Sequence, residues 1–431
     1  MLAEDPHRSA FHVMVKPTGP LCNLDCTYCY YLDKVKQDPG RVSWRMSPEV
    51  LRLYIQQYIA SQSTPEIIFA WQGGEPALLG LAFFEEVVAL QQAYSDGRPI
   101  HNAFQTNGIL LNDAWCAFFK QHQFLVGISL DGPAPLHDRY RVDKGQHPTF
   151  KRVLRGLECL KRHGVEFNTL TCVHQGNVRH PLAVYRFLKQ VGSHYLQFIP
   201  VVERAVAPDG DSPVTPWSVD SLGYGEFLTA IFDEWVRNDV GRYFIQIIDV
   251  TLPAWLGMDP ALCVFRPHCG DALALESNGD LYACDHFVYP EHRLGNLQET
   301  PLATLARSPR QTDFGRAKAA TLPGQCRACA LRFVCHGGCP KHRLLKTASG
   351  EAGLNYLCAG YQHFFTHADP YMRHMASLIH AGQPADGVIR WARLRDLHAR
   401  GKTAPAPLAP CVCGSGRKFK KCCGRPSAGG A

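Results

Sequence analysis

Residues 11–29 read Phe11-His12-Val13-Met14-Val15-Lys16-Pro17-Thr18-Gly19-Pro20-Leu21-Cys22-Asn23-Leu24-Asp25-Cys26-Thr27-Tyr28-Cys29. Phe11–Lys16 is a short apolar run of the kind that forms a buried strand. The loop behind it carries three thiolates, Cys22, Cys26 and Cys29. A cubane iron–sulfur cluster has four irons, so three cysteines leave one iron open. An open iron can bind a small molecule and pass it an electron. Structural zinc sites are normally closed by four ligands, and no fourth ligand is evident nearby.

Outward from this loop, five more strand-like runs follow at Glu66–Gln72, Pro99–Gln105, Phe124–Leu130, Val165–Val173 and Tyr195–Val201. Most are continuous apolar runs, as expected for parallel strands buried on both faces. Amphipathic helices separate them. Ser47 and Pro48 are an N-cap and first-turn pair before Val50, Leu51, Tyr54, Ile55 and Tyr58, which share one helical face. Repeated β-then-α order implies a parallel sheet with right-handed crossovers, with functional loops at the carboxyl ends of the strands. The cysteine loop follows the first strand, as this requires. A helix is expected from about Gly225 to Val236, and another from about Tyr371 to Arg400, interrupted at Gly382-Gln383-Pro384. The Ala- and Pro-rich run Lys402–Pro410 reads as a linker.

The chain has 431 residues, a net charge of +7 and a pI of about 8.6. This mild excess does not by itself argue for nucleic acid. The acidic start Met1–Pro6 lacks the pattern of a secretory signal, and no run reaches the ~18 apolar residues of a membrane span. The 18 cysteines are therefore expected in a reducing cytoplasm, where metal ligation outweighs disulfides. They divide as 3 + 8 + 4 + 3. The second group is Cys263, Cys269, Cys284, Cys326, Cys329, Cys335, Cys339 and Cys358, enough to close two four-ligand sites. The third is Cys411, Cys413, Cys422 and Cys423, which suits one tetrahedral zinc. Cys116, Cys159 and Cys172 remain and read as core packing. The basic residues Arg417, Lys418, Lys420, Lys421 and Arg425 can touch an acidic partner or RNA; a solvated face is the default reading.

The Cys-x3-Cys-x2-Cys loop with Tyr28 before its last cysteine resembles the radical S-adenosylmethionine (SAM) superfamily. The resemblance implies a partial (β/α)6 barrel and a [4Fe–4S] cluster whose open iron chelates SAM. The eight-cysteine region resembles the SPASM domain, which carries two auxiliary [4Fe–4S] clusters. By that family's interleaved pattern, Cys263, Cys269, Cys284 and Cys339 hold the first, and Cys326, Cys329, Cys335 and Cys358 the second. Thiolate count alone leaves zinc open for both. The last group resembles the SEC-C motif, a small zinc-binding tail that contacts protein partners. The implied division is barrel 1–235, linker 236–262, SPASM domain 263–370, helical linker 371–404 and zinc tail 405–426.

Gln72-Gly73-Gly74-Glu75-Pro76 resembles the motif that binds the SAM methionine amine. A glycine pair lets backbone approach a ligand, and Glu75 can accept from an ammonium. Ser129 can bond a ribose and Arg141 can neutralise a carboxylate. Tyr28, Ser129, Arg141 and Val202 occupy positions where the family places SAM contacts. Phe69–Pro76, Gln105–Gly108, Ser129–Pro133, Leu196–Ile199 and Arg293–Asn296 together resemble the anaerobic sulfatase-maturating enzymes, over roughly residues 11–370. That resemblance implies oxidation of a Cys or Ser in a sulfatase precursor to Cα-formylglycine. It implies an electron donor such as flavodoxin or ferredoxin, and Asp285 as the base that takes the substrate proton. A carboxylate in a shielded pocket beside a thiolate cluster is expected to have a raised pKa. The eight-cysteine pattern is shared by several peptide maturases, so an enzyme that crosslinks a ribosomal peptide is the alternative.

Overall fold

The computed structural model describes residues 10–37, 41, 43–205, 212–399, 401, 405–411 and 416–421. Six parallel strands come first: β1 His12–Lys16, β2 Ile67–Trp71, β3 Ile100–Thr106, β4 Leu125–Ser129, β5 Phe167–Val173 and β6 Tyr195–Pro200. They lie side by side in chain order. The strands match the six apolar runs to within a residue or two at each end. The helix Pro48–Ser61 starts where its cap predicts, with the Ser47 hydroxyl accepting from the Val50 amide.

Only one face of these strands is fully buried. Phe69 and Trp71 of β2 pack edge-on against Tyr54 and stack with each other. Phe84, Phe104, Trp115 and Phe119 continue this aromatic layer under the helices. Each such ring contributes about 1.5–3 kcal/mol by burial. The other face differs from the expectation of burial on both sides. Ile68 is 50% exposed and Leu125 42%. By strand alternation Ile68 shares its face with Gln72, which lines the central cavity. The barrel does not close, so its interior is a cavity.

The stretch 236–262 is more than a linker. The helix begun at Ser221 runs to Asn238; β7, Phe244–Ile245, adds to the edge of β6, and a helix follows at Gln246–Trp255. The cysteine-rich part extends the same sheet beyond its other edge. β8, Ala272–Glu276, pairs in parallel with β1, matching Lys16 to Glu276. β9, Asp280–Tyr282, and β10, Arg293–Asn296, continue antiparallel. Ten strands thus form one sheet.

The helix expected from Tyr371 starts earlier, at Cys358, and runs to His380. It continues through Pro370, so the boundary expected there falls inside a helix. It crosses Ser221–Asn238 at a glycine contact: a Cβ on Gly225 would lie 2.4 Å from the Gly360 oxygen, and one on Gly360 2.0 Å from the Ser221 oxygen. Glycine at both positions permits this approach, which anchors the helix that begins at Cys358. A separate helix, Gly387–Ala399, follows the Gly382 break. Among the described residues no helix is long and apolar enough to cross a membrane.

Candidate active site

A cavity of about 270 Å³ opens at the carboxyl ends of the strands. Cys22, Cys26 and Cys29 line it together with Tyr28, Gly73, Gly74, Ser129 and Arg141. The cysteine loop is anchored from beneath by the end of β2. The Gly74 amide donates to the Gly19 oxygen at 2.8 Å, and the Glu75 amide to the Leu21 oxygen at 2.9 Å. A Cβ on Gly74 would sit 1.9 Å from that Leu21 oxygen. Gly74 therefore brings two stretches of backbone together, a role beyond the ligand approach read from sequence.

Glu75 is fully buried and does not line the cavity. Its carboxylate accepts from the Asn107 amide at 2.7 Å, Thr106 Oγ1 at 2.8 Å and the Ala77 amide at 3.0 Å, tying β2 to β3. Burial pushes this carboxyl up to about 7, against the three donors. Val202 also differs from expectation: Val201 lines the cavity, while Val202 borders an adjoining cleft with Trp217 and Lys341.

Asp131, at the end of β4, is the polar hub. It is fully buried and accepts from Arg141 Nε at 2.9 Å, Tyr28 Oη at 2.5 Å and the Cys172 amide at 2.9 Å. Burial would raise its carboxyl, but the Arg141 charge and neighbouring histidines hold it far below the usual range. Cys172 is the exception among the three spare cysteines. It lies on the cavity wall, 3.7 Å from Arg141 Nη2, whereas Cys116 and Cys159 are in the core.

The eight downstream cysteines gather as two quartets. Cys326, Cys329, Cys335 and Cys358 surround one small cavity of about 30 Å³. Cys263, Cys269, Cys284 and Cys339 lie close enough to raise one another's thiol pKa values. All eight are free thiols. Two closed sets of four soft donors fit cubane clusters, and the open set of three fits a cluster with a ligand position to spare. Of the expected zinc ligands, Cys411 is buried; Cys413, Cys422 and Cys423 lie outside the described residues.

Asp285 follows Cys284 and faces the barrel. Its carboxylate pairs with Lys16 Nζ at 2.5 Å and accepts from Tyr30 Oη at 2.5 Å. Tyr30 directly follows Cys29. Lys16, only 1% exposed, also donates to Gln72 at 2.7 Å. Lys16, Tyr30, Gln72 and His286 line the cavity, with Asp285 behind the first two. The raised pKa expected for Asp285 is corrected here. Burial pushes the carboxyl up, but Lys16, His286 and the Tyr30 hydroxyl together hold it below its ordinary value. The sequence reading missed Lys16 because a lysine ending a strand looks like a solvated edge. An unusual signal was available: it closes an apolar run that alternation assigns to the interior.

An open parallel barrel with a three-thiol loop, joined to two four-thiol sets, defines the radical SAM class with a SPASM extension. A model of the radical SAM superfamily matches residues 17–188, and one of an iron–sulfur cluster-binding domain, SPASM, matches 263–330. A SEC-C motif matches 409–425. A serine-type anaerobic sulfatase-maturating enzyme of Bacteroides thetaiotaomicron is 46% identical over 86% of this chain and 92% of its own length. A cysteine-type counterpart of Clostridium perfringens strain 13 is 32% identical over 85% and 98%. The solved structure described as native anSMEcpe with bound AdoMet and Cp18Cys peptide superposes with a TM-score of 0.77 at 32% identity, over 85% of this chain and 99% of that one. This chain belongs to the anaerobic sulfatase-maturating enzyme family.

Proposed function

We infer that the chain oxidises a target serine or cysteine of a sulfatase precursor to Cα-formylglycine, with SAM and three [4Fe–4S] clusters as cofactors. Cys22, Cys26 and Cys29 are assigned to the SAM-binding cluster. Cys263, Cys269, Cys284 and Cys339 are assigned to one auxiliary cluster; Cys326, Cys329, Cys335 and Cys358 to the other. When bound, SAM and its cluster supply one-electron hydrogen abstraction, and the auxiliary clusters supply an exit for the remaining electron. Tyr28, Gly73, Gly74, Ser129 and Arg141 are assigned to holding SAM. Glu75 acts from behind by fixing the β2 and β3 ends, and Val202 borders the cleft that adjoins the cavity.

The observation that carries the reading is the Tyr30–Asp285 hydrogen bond, between residues 255 apart in sequence. It joins the neighbour of an open-cluster ligand to the neighbour of an auxiliary-cluster ligand. Asp285 is kept ionised by Lys16, so it stands in the proton-accepting form directly behind the Lys16 and Tyr30 wall of the cavity. Tyr30 and Lys16 fix its direction.

Anaerobic incubation with SAM, a reductant and Ser- or Cys-containing sulfatase peptides, followed by mass analysis, tests this. Aldehyde on the serine peptide is expected, in keeping with the higher identity to serine-type relatives. Asp285→Asn is expected to cleave SAM without forming aldehyde. Full aldehyde yield from that variant removes Asp285 from the role. A flavodoxin- or ferredoxin-type donor in a reducing cytoplasm supplies electrons. The SEC-C tail, with Cys411, Cys413, Cys422 and Cys423 on zinc, docks a protein partner; deleting it should spare the peptide reaction and slow that of a full-length precursor.

A further inference from the structure

On the outer wall of the barrel, away from the cavity, three unlike metal ligands meet. Asp113, Cys159 and His163 present Oδ1, Sγ and a ring nitrogen within 4.8 Å of one another. Asp113 opens the helix Asp113–Gln121, while Cys159 and His163 lie in the last turn and at the cap of Phe150–Arg162. Asp113 Oδ1 lies 2.8 Å from His163 Nε2 and 3.5 Å from Cys159 Sγ. A tetrahedral zinc has ligand–ligand edges of about 3.3–3.5 Å, from Zn–N and Zn–O near 2.0 Å and Zn–S near 2.3 Å. Opening the first distance by about half an ångström meets that geometry.

A further observation points to a cation here. The Arg162 guanidinium already bridges the same atoms, 2.7 Å from Asp113 Oδ1 and 3.4 Å from Cys159 Sγ. Its side chain is 63% exposed, so it can leave into solvent. Behind Cys159 lies a second thiol, Cys116, fully buried and outside the group of three ligand atoms. The cluster opens on a surface cleft that shares no lining residue with the SAM cavity.

We propose that Asp113, Cys159 and His163 form a zinc site, its fourth position left to solvent, that clamps helix Asp113–Gln121 to helix Phe150–Arg162. A mixed thiolate, imidazole and carboxylate set suits zinc over magnesium or calcium. The ion takes the place of Arg162, and the last-turn carbonyls of Phe150–Arg162 favour its charge.

The test uses cluster-loaded holoenzyme equilibrated with zinc and dialysed against a weak chelator. Zinc and iron per chain are measured for the wild type, His163→Ala and Cys159→Ser. Each variant should hold one zinc fewer, with iron unchanged; zinc in the C-terminal tail is common to all and cancels. Zinc should raise the thermal midpoint of the wild type and not of His163→Ala. Arg162→Ala should bind zinc roughly two- to fivefold tighter, the worth of one exposed ion pair. His163 sits at a helix cap on the surface, so its variant folds even if that of Cys159 does not. Wild-type zinc content and a wild-type thermal response in His163→Ala would overturn the site.

Discussion

Gly74→Ala should empty the SAM-binding cluster while leaving the other two intact. The new Cβ would lie 1.9 Å from the Leu21 oxygen, 2.3 Å from its carbonyl carbon and 2.8 Å from the Pro20 carbonyl carbon. Real Cβ contacts essentially never fall under 3.0 Å, so the backbone must retreat by at least 3.0 − 1.9 = 1.1 Å. These atoms are backbone, and no side-chain rotation relieves them. The Glu75 amide bond to Leu21, now 2.9 Å, lengthens to about 4 Å and is lost. Overpacking costs about 1–3 kcal/mol and the lost hydrogen bond about 1 kcal/mol, so destabilisation of roughly 2–4 kcal/mol follows. Cys22 is the next residue, and cluster ligation tolerates only about 0.2 Å. Anaerobic reconstitution should therefore yield about eight irons per chain where the wild type holds about twelve, since each cubane carries four. SAM cleavage should vanish with the missing four. Full iron content with wild-type SAM cleavage would refute the claim that Gly74 spaces the cluster loop.

Three other outcomes follow from the same geometry. Asp131→Asn leaves the buried Arg141 without its counter-charge, and about 3–5 kcal/mol should be lost in chemical denaturation; a change below about 1 kcal/mol would contradict the hub. Glu75 titrates near 7 when folded against an ordinary 4.5, so between those values the folded chain binds the extra proton. Its contribution is fully present below pH 4.5 and is lost as pH rises to 7, by at most roughly 3.5 kcal/mol at about 1.4 kcal/mol per pH unit. SAM-free Glu75→Gln should flatten this slope in denaturation curves taken from pH 5 to 8. Lys16→Met should lift the Asp285 carboxyl pKa and cut aldehyde yield without stopping SAM cleavage, read by separate assays of 5′-deoxyadenosine and aldehyde.

Much of the site was legible along the chain. Strand positions follow from apolar runs of fixed length, and ligand groups from short cysteine spacings; both are local. The eight downstream cysteines fall into the two spatial sets that the interleaved pattern implied. Other readings failed where neighbours in space are distant in sequence. Val202 was read as a SAM contact, but Val201 lines the cavity and Val202 borders the cleft beside it. Glu75 looked like a ligand for an ammonium, but the Asn107 amide and the Thr106 hydroxyl at the end of β3 claim its oxygens.

What the sequence determined by itself is the chemistry in reach: an open three-thiol loop after the first strand, two closed sets of four, and a carboxylate beside Cys284. Which way that carboxylate titrates was a tertiary decision. β8 docks in parallel on β1 with Glu276 opposite Lys16, and this register delivers Asp285 to the Lys16 ammonium. Burial alone would have raised its pKa, as the sequence suggested. A cation at 2.5 Å in a water-poor pocket outweighs that desolvation, because Coulomb attraction grows as the local dielectric falls.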